Sequence, residues 1–151
     1  MKIYLAGPLF TTAEREFNTR LGALLRKRGH EVWLPQDFEQ RDKTADEVFR
    51  KDVEGVDWAD VVVANMDGAD PDSGTSWECG YAFRHKPVIV FRTDFRSGEE
   101  PGKGAYNLML TQSATAQLDL PYHSTESIAD RIAESLVTLG VTGSSNSSAS
   151  A

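Results

Sequence analysis

Short apolar runs alternate along this chain with stretches whose apolar residues recur every three or four positions, and the alternation predicts the fold class. Ile3-Tyr4-Leu5-Ala6 is a β-prone run ended by Gly7-Pro8. Thr11 and Glu14 follow at capping-box spacing, and Phe17, Leu21, Leu24 and Leu25 then continue at helical spacing. Gly29 fits the end of that helix, and Glu31-Val32-Trp33-Leu34 before Pro35 reads as a second strand. A second helix opens at Thr44, with Glu47 completing its capping box and Val48, Phe49, Val53 and Val56 as its apolar stripe. Val61 to Asn65 and Pro87-Val88-Ile89-Val90-Phe91 are runs without a polar face, as expected of strands covered on both sides. Between them, a loop from Asp72 leads into a helix reaching about His85, with Glu78 expected in its first turn.

The pattern weakens after Phe91. The polar, Gly-containing stretch from Thr93 to Gly104 suits an exposed loop, and Asn107 to Leu110 suits a short helix. Ala116 to Leu120 fits a fifth, edge strand, and Ile128, Ile132, Leu136 and Leu139 mark an amphipathic helix over Ser127 to Leu139. Residues 143–151 are almost all Ser, Gly, Asn and Ala and have nothing to bury, so a disordered tail is expected after a single domain at 1–142. Strands alternating with helices in this way imply a parallel sheet with helices on both faces.

Composition narrows the function classes. A chain of 151 residues with 40% hydrophobic content supports one domain with a real core. The formal net charge of −7, with basic residues scattered among more numerous acids, argues against a nucleic-acid partner but not against a small nucleoside. No apolar run approaches the roughly 20 residues that span a bilayer, so no membrane partner is expected. Met1-Lys2-Ile3 leads into a strand pattern instead of a signal peptide, and Cys79 has no disulfide partner, so a cytoplasmic protein is expected. His30, His85 and His123 follow no metal-ligand spacing. Gly74 and Gly80 make neither a dinucleotide nor a P-loop fingerprint. Neither a metal nor a cofactor is implied.

In a parallel sheet the loops after the first and third strands open on one edge, where ligands of open α/β sheets bind. Gly7 to Phe10 and Asp72 to Glu78 should therefore converge, gathering Tyr4, Asp52, Asp72 and Glu78 at one pocket. Asp52 lies one turn from both Val48 and Val56, at the border of a buried stripe, where desolvation raises a carboxyl pKa and suits a general acid. Glu78, near a helix N-terminus, is expected in its ionised form. Two carboxylates tuned apart suit cleavage of a glycosidic bond: one attacks or stabilises the sugar carbon, the other helps protonate the leaving group. Every one of these residues also has a plainer reading. Thr75 and Glu78 match a capping box, Asp52 could be a solvated helix residue, Tyr4 core packing, Asp72 a turn or N-cap, Asn107 a helix start and Gln36 an ordinary loop residue.

Taken together, Tyr4-Leu5-Ala6-Gly7-Pro8-Leu9-Phe10, the helix carrying Asp52, Asp72 six residues before Glu78, and Glu78-Cys79-Gly80-Tyr81-Ala82 resemble the nucleoside 2-deoxyribosyltransferases, from the N-terminus to about Asn107. The resemblance implies a flavodoxin-like (Rossmann-like) three-layer α/β fold with a five-stranded parallel sheet. It makes Glu78 the nucleophile at the anomeric carbon, Asp52 the proton-transfer group at the base and Tyr4 the residue orienting Glu78. It also makes Asp72 the partner of the sugar 5′-hydroxyl and Asn107 a residue reaching a neighbouring subunit's sugar, which implies a homo-oligomer, at least a dimer. Gln36, Gly7 and Phe10 are further expected substrate contacts. The implied partners are deoxynucleosides and free nucleobases.

A related branch that hydrolyses deoxynucleoside 5′-monophosphates has a serine where Asp72 stands and an N-terminal loop richer in Gly, Ser and Arg. An aspartate repels a phosphate dianion while accepting a hydrogen bond from a neutral hydroxyl, so Asp72 favours nucleosides. Two other readings stay open on the sequence: an N-glycoside hydrolase, in which water takes the acceptor's place, and a non-catalytic nucleoside- or nucleotide-binding module.

Overall fold

The computed structural model describes residues 1–38, 41–96 and 104–145, with side chains described to residue 140. Five strands form one all-parallel sheet: β1 Lys2–Ala6, β2 Glu31–Trp33, β3 Val61–Asn65, β4 Val88–Arg92 and β5 Ala116–Asp119. Their order is β2-β1-β3-β4-β5, and the register places Tyr4 beside Trp33 on one side and Val62 on the other. The fold class is therefore the flavodoxin-like three-layer architecture, with the switch in strand order between β1 and β3.

Side chains alternate across the sheet and sort into two cores. Ile3, Leu5, Val61, Val63, Ile89 and Phe91 face helix α1 (Thr12–Lys27) and helix α5 (Thr125–Ser145), which add Leu21, Leu25, Ile128, Ile132 and Leu136. Tyr4, Ala6, Val62, Ala64, Val88 and Val90 face α2 (Ala45–Trp58), α3 (Ser73–Ala82) and α4 (Leu108–Ser113), which add Val56, Cys79, Ala82 and Leu110. Every residue of β3 and β4 is buried because both faces are covered, which is why these runs lack polar alternation. Each fully buried aliphatic side chain contributes about 1.5–3 kcal/mol relative to exposure.

Local signals set the helix ends. Thr11 with Glu14, and Thr44 with Glu47, form complete capping boxes at the starts of α1 and α2, each cap worth about 1 kcal/mol. Gly29 has φ +87 just past α1, a left-handed position that glycine occupies without strain. Two elements differ from the sequence expectation. Phe49 stands 53% exposed and packs edge-on against Trp77 of α3 instead of joining the buried stripe. Helix α5 runs from Thr125 to Ser145, through the first residues of the expected tail; the rest of that tail, 146–151, lies outside the described residues, as does the 97–103 part of the expected loop. No helix among the described residues is long and apolar enough to cross a membrane.

Candidate active site

The site is built where β1, α2 and α3 meet on one face of the sheet. Tyr4 is fully buried in the middle of β1, and its hydroxyl donates a 2.6 Å hydrogen bond to Glu78 Oε1. Glu78 lies in α3, whose N-cap is Asp72: the Asp72 Oδ2 accepts from the Thr75 backbone N–H at 2.9 Å and from its hydroxyl at 3.0 Å. The expected first-turn glutamate is therefore a second-turn residue, and the Thr75/Glu78 capping box does not form because Asp72 takes the cap. The consequence is electrostatic. Helix-terminus stabilisation fades within the first turn, so burial dominates and pushes Glu78 up to about 7. The Tyr4 hydrogen bond lowers it, while the charges of Asp52 and Asp72 raise it.

Asp52 is half-buried on α2, and loss of solvation holds its carboxyl above the usual range. Its charge is felt by both Tyr4 and Glu78, so the two carboxyl groups and the phenol form one electrostatic unit. Tyr4 is held well above an ordinary phenol by desolvation first and then by the Glu78 charge, and it remains a donor across the working pH range. Beside Glu78, burial pushes the Cys79 thiol up to about 12, which removes it as a competing nucleophile.

The other expected site residues fall around this unit in different ways. Gly7 lies against the end of β3: a Cβ there would stand 3.2 Å from Asn65 Cβ. Phe10 is 76% exposed, and its backbone N–H is bound to Glu14 Oε2, so its ring does not join the carboxylates in this structure. Gln36 is turned to α1. Its amide nitrogen donates to Arg15 O and Thr19 Oγ1, and its Oε1 accepts from Asn18, so it serves there as a brace. Asn107 caps α4 by accepting from Met109 N–H at 2.9 Å, and it lines a groove of about 610 Å³ with Ser76, Gly80, Phe83 and Met109. Among the described residues no group of His, Cys, Asp and Glu could hold a metal ion.

Two further residues border the site: Trp33, which the sequence reads as core or pocket wall, and Gly55, which was not singled out from it. Trp33, at the end of β2, packs against Phe38 and Trp58, with the Lys51 ammonium over its ring at 5.0 Å. Gly55, one turn after Asp52, lies against Trp33 and Tyr4. Its signal was available: a glycine inside an amphipathic helix costs about 1 kcal/mol against alanine and needs a packing reason.

Comparisons with known proteins agree with this architecture. The nucleoside 2-deoxyribosyltransferase family model matches residues 3–109. An uncharacterised protein of Ureaplasma parvum is 30% identical over 116 residues, 64% of this chain and 72% of that protein. A conserved protein from Enterococcus faecalis superposes with a TM-score of 0.70 at 25% identity, over 89% of this chain and 98% of that one. The 2-deoxyribosyltransferase of Bacillus psychrosaccharolyticus superposes with a TM-score of 0.64 at 27% identity, over 85% of this chain and 90% of its own. On its matched sequence and its shared sheet, this chain belongs to the nucleoside 2-deoxyribosyltransferase family.

Proposed function

We propose that the protein exchanges nucleobases on 2′-deoxyribonucleosides by double displacement through a deoxyribosyl-Glu78 intermediate. The observation that carries this reading is the Tyr4 hydrogen bond to Glu78 Oε1, which fixes the carboxylate and leaves Oε2 as the attacking oxygen. In the first step Oε2 bonds to the anomeric carbon, the C–N bond breaks with its electron pair going to the base, and Asp52 delivers a proton to that base. In the second, a nitrogen of the incoming base bonds to the anomeric carbon, the ester to Glu78 breaks, and Asp52 takes the acceptor's proton. Desolvation suits Asp52 to this role, because it raises the carboxyl pKa in the direction a general acid needs.

Asp72 is assigned to the sugar 5′-hydroxyl. Its Oδ2 is engaged in the helix cap, and Oδ1 takes no hydrogen bond among the described residues. Asn107 is assigned to a neighbouring subunit's sugar in a cytoplasmic homo-oligomer acting in nucleoside salvage. The exposed Phe83, Leu108 and Met109 around it support an apolar contact between copies.

The test is incubation with deoxyinosine, with and without free adenine, with products separated by chromatography. Deoxyadenosine formed only with adenine, and abolished in Glu78→Ala, is the expected result. Hypoxanthine released equally without adenine would make the protein an N-glycoside hydrolase using the same intermediate. Nucleoside binding without turnover of nucleosides or 5′-monophosphates would make it a binding module.

A further inference from the structure

Tyr4 on β1 reaches Glu78 on α3 only if the helix between them leaves room. Helix α2 crosses over the Tyr4 ring at Gly55, a buried residue three positions after Asp52. A Cβ at this position would stand 2.7 Å from Tyr4 Cε2 and 2.6 Å from Trp33 Cε2, and closer still to Trp33 Nε1. Carbon atoms approach to about 3.5–4.0 Å at optimal contact, so neither ring tolerates the added group where it now sits.

The Tyr4 ring has no free space to retreat into, whereas Trp33 is only partly buried and borders a cavity of about 470 Å³. Tyr4 is fully buried, and its strand is hydrogen-bonded on both sides, to β2 and β3. Trp33 is held by Phe38 and Trp58 at ring-centroid distances of 5.0 Å and 5.6 Å. Its Nε1 is buried with no hydrogen-bond partner among the described residues, so the indole is placed here by packing against α2 and not by a polar contact. A side chain at position 55 must therefore tip the Tyr4 ring or lift α2 from the sheet. Tipping the ring moves its hydroxyl off Glu78, and lifting the helix moves Asp52 away from both.

We infer that Gly55 is a positioning residue: by lacking a side chain it lets α2 settle on the Tyr4 and Trp33 rings, and so fixes the Tyr4 hydroxyl on Glu78 and sets the depth of Asp52. The inference rests on the catalytic reading of Glu78 and Asp52, but the geometry it names is independent of any reaction. Glu78 is faced by Tyr4 from β1, Asp52 from α2 and Asp72 from the head of its own helix. Of these, only the Tyr4 hydrogen bond lowers its pKa, so displacing Tyr4 leaves a group that ionises at higher pH.

The experiment follows the Glu78 carboxyl carbon by NMR titration in the full chain and in three variants: Gly55→Ala, Tyr4→Phe, and Gly22→Ala as a packing control. Gly22 also sits in a tight helix contact, where an added Cβ would stand 3.0 Å from Leu34 Cδ1, but on α1 against the opposite core. The expected result is that Gly55→Ala and Tyr4→Phe both shift the titration to higher pH by about one unit or more, while Gly22→Ala leaves it in place. In nucleoside turnover, Gly55→Ala should lower kcat by about 10- to 100-fold, the effect of a displaced charge-assisted hydrogen bond, with KM changed less than about threefold. A folded Gly55→Ala protein that titrates as wild type overturns the inference. Should that variant not fold, Gly55→Ala with Trp33→Phe relieves the nearer clash and keeps the one with Tyr4, and the same titration decides. A shifted titration in a protein with no wild-type turnover upholds the role of Gly55 and removes the catalytic reading instead.

Discussion

The Tyr4 hydroxyl and Glu78 Oε1 lie 2.6 Å apart although 74 positions separate them in sequence. The pair joins β1, an interior strand of the sheet, to the second turn of α3. It also sets two opposed forces on one carboxyl group: burial and the acidic neighbours favour the neutral form, and the tyrosine favours the ionised form. The balance leaves Glu78 at about 7, where a carboxylate is both available and weakly solvated.

Tyr4→Phe tests that balance with the ring, and hence the core, retained. Without the hydroxyl, only desolvation and like charge act on Glu78, so its pKa rises. The acid limb of kcat/KM is expected near pH 7 in the wild type and about one unit higher in the variant. The rate at pH 6 should fall by about 10- to 100-fold, the effect of losing a hydrogen bond to a charged group. An unmoved limb would show that another group governs it.

Glu78→Gln should raise stability at alkaline pH. The folded-state pKa of about 7 lies above the ordinary 4.5, so the folded protein holds this proton where the unfolded chain has released it. Stability from this group is thus fully present below about pH 4.5 and is lost as pH rises through about 7. Glutamine carries no such dependence. The variant should match wild type at pH 4 and exceed it at pH 8 by on the order of 2–3 kcal/mol, read by urea denaturation at each pH. A constant difference across that range would refute the assignment.

The framework of this fold was legible because its signals are local. The capping boxes at Thr11 and Thr44, the apolar runs of β3 and β4, and the glycine after α1 each declare an element within a few residues. The site was legible where spacing carried it and illegible where a side chain chose between partners. Thr75 and Glu78 satisfy the capping pattern, yet the Asp72 carboxylate accepts the Thr75 N–H that the Glu78 side chain would have taken, and Glu78 lies one turn deeper, away from the helix terminus. Gln36 follows the second strand, where the family resemblance suggested a contact with the base, but its amide finds three partners on α1, a choice fixed only when the layers pack. The Tyr4 to Glu78 contact is equally long-range; the resemblance to a family suggested it, and no local pattern did.

Asp52→Asn separates proton delivery from charge placement. The amide is isosteric and occupies the same half-buried position on α2, but cannot protonate a departing base. Loss of general acid catalysis is expected to lower kcat on deoxyinosine by about 10²- to 10⁴-fold. A deoxyriboside whose base is a pyridinium departs as a neutral amine and needs no proton, so its turnover should fall less than about tenfold. Equal losses on the two donors would assign Asp52 to binding.

Asp72 carries two loads that single substitutions can separate. Its Oδ2 caps α3 through Thr75, and its charge lies close enough to be felt by Glu78. Asparagine keeps a cap acceptor and removes the charge, whereas alanine removes both. Asp72→Ala should therefore lose about 1 kcal/mol of stability, several degrees in Tm for a domain of this size, while Asp72→Asn stays near wild type. If Asp72 takes the proposed 5′ contact, both variants lose the negative charge that would repel a 5′-phosphate and weaken or lose the acceptor for a 5′-hydroxyl. The ratio of kcat/KM for a deoxynucleoside to that for its 5′-monophosphate should then fall by about tenfold or more, by a similar factor in the two variants despite their different stabilities. A ratio that stays at the wild-type value in Asp72→Asn would mean that the carboxylate acts only as a helix cap, and that discrimination at the 5′ position is made elsewhere.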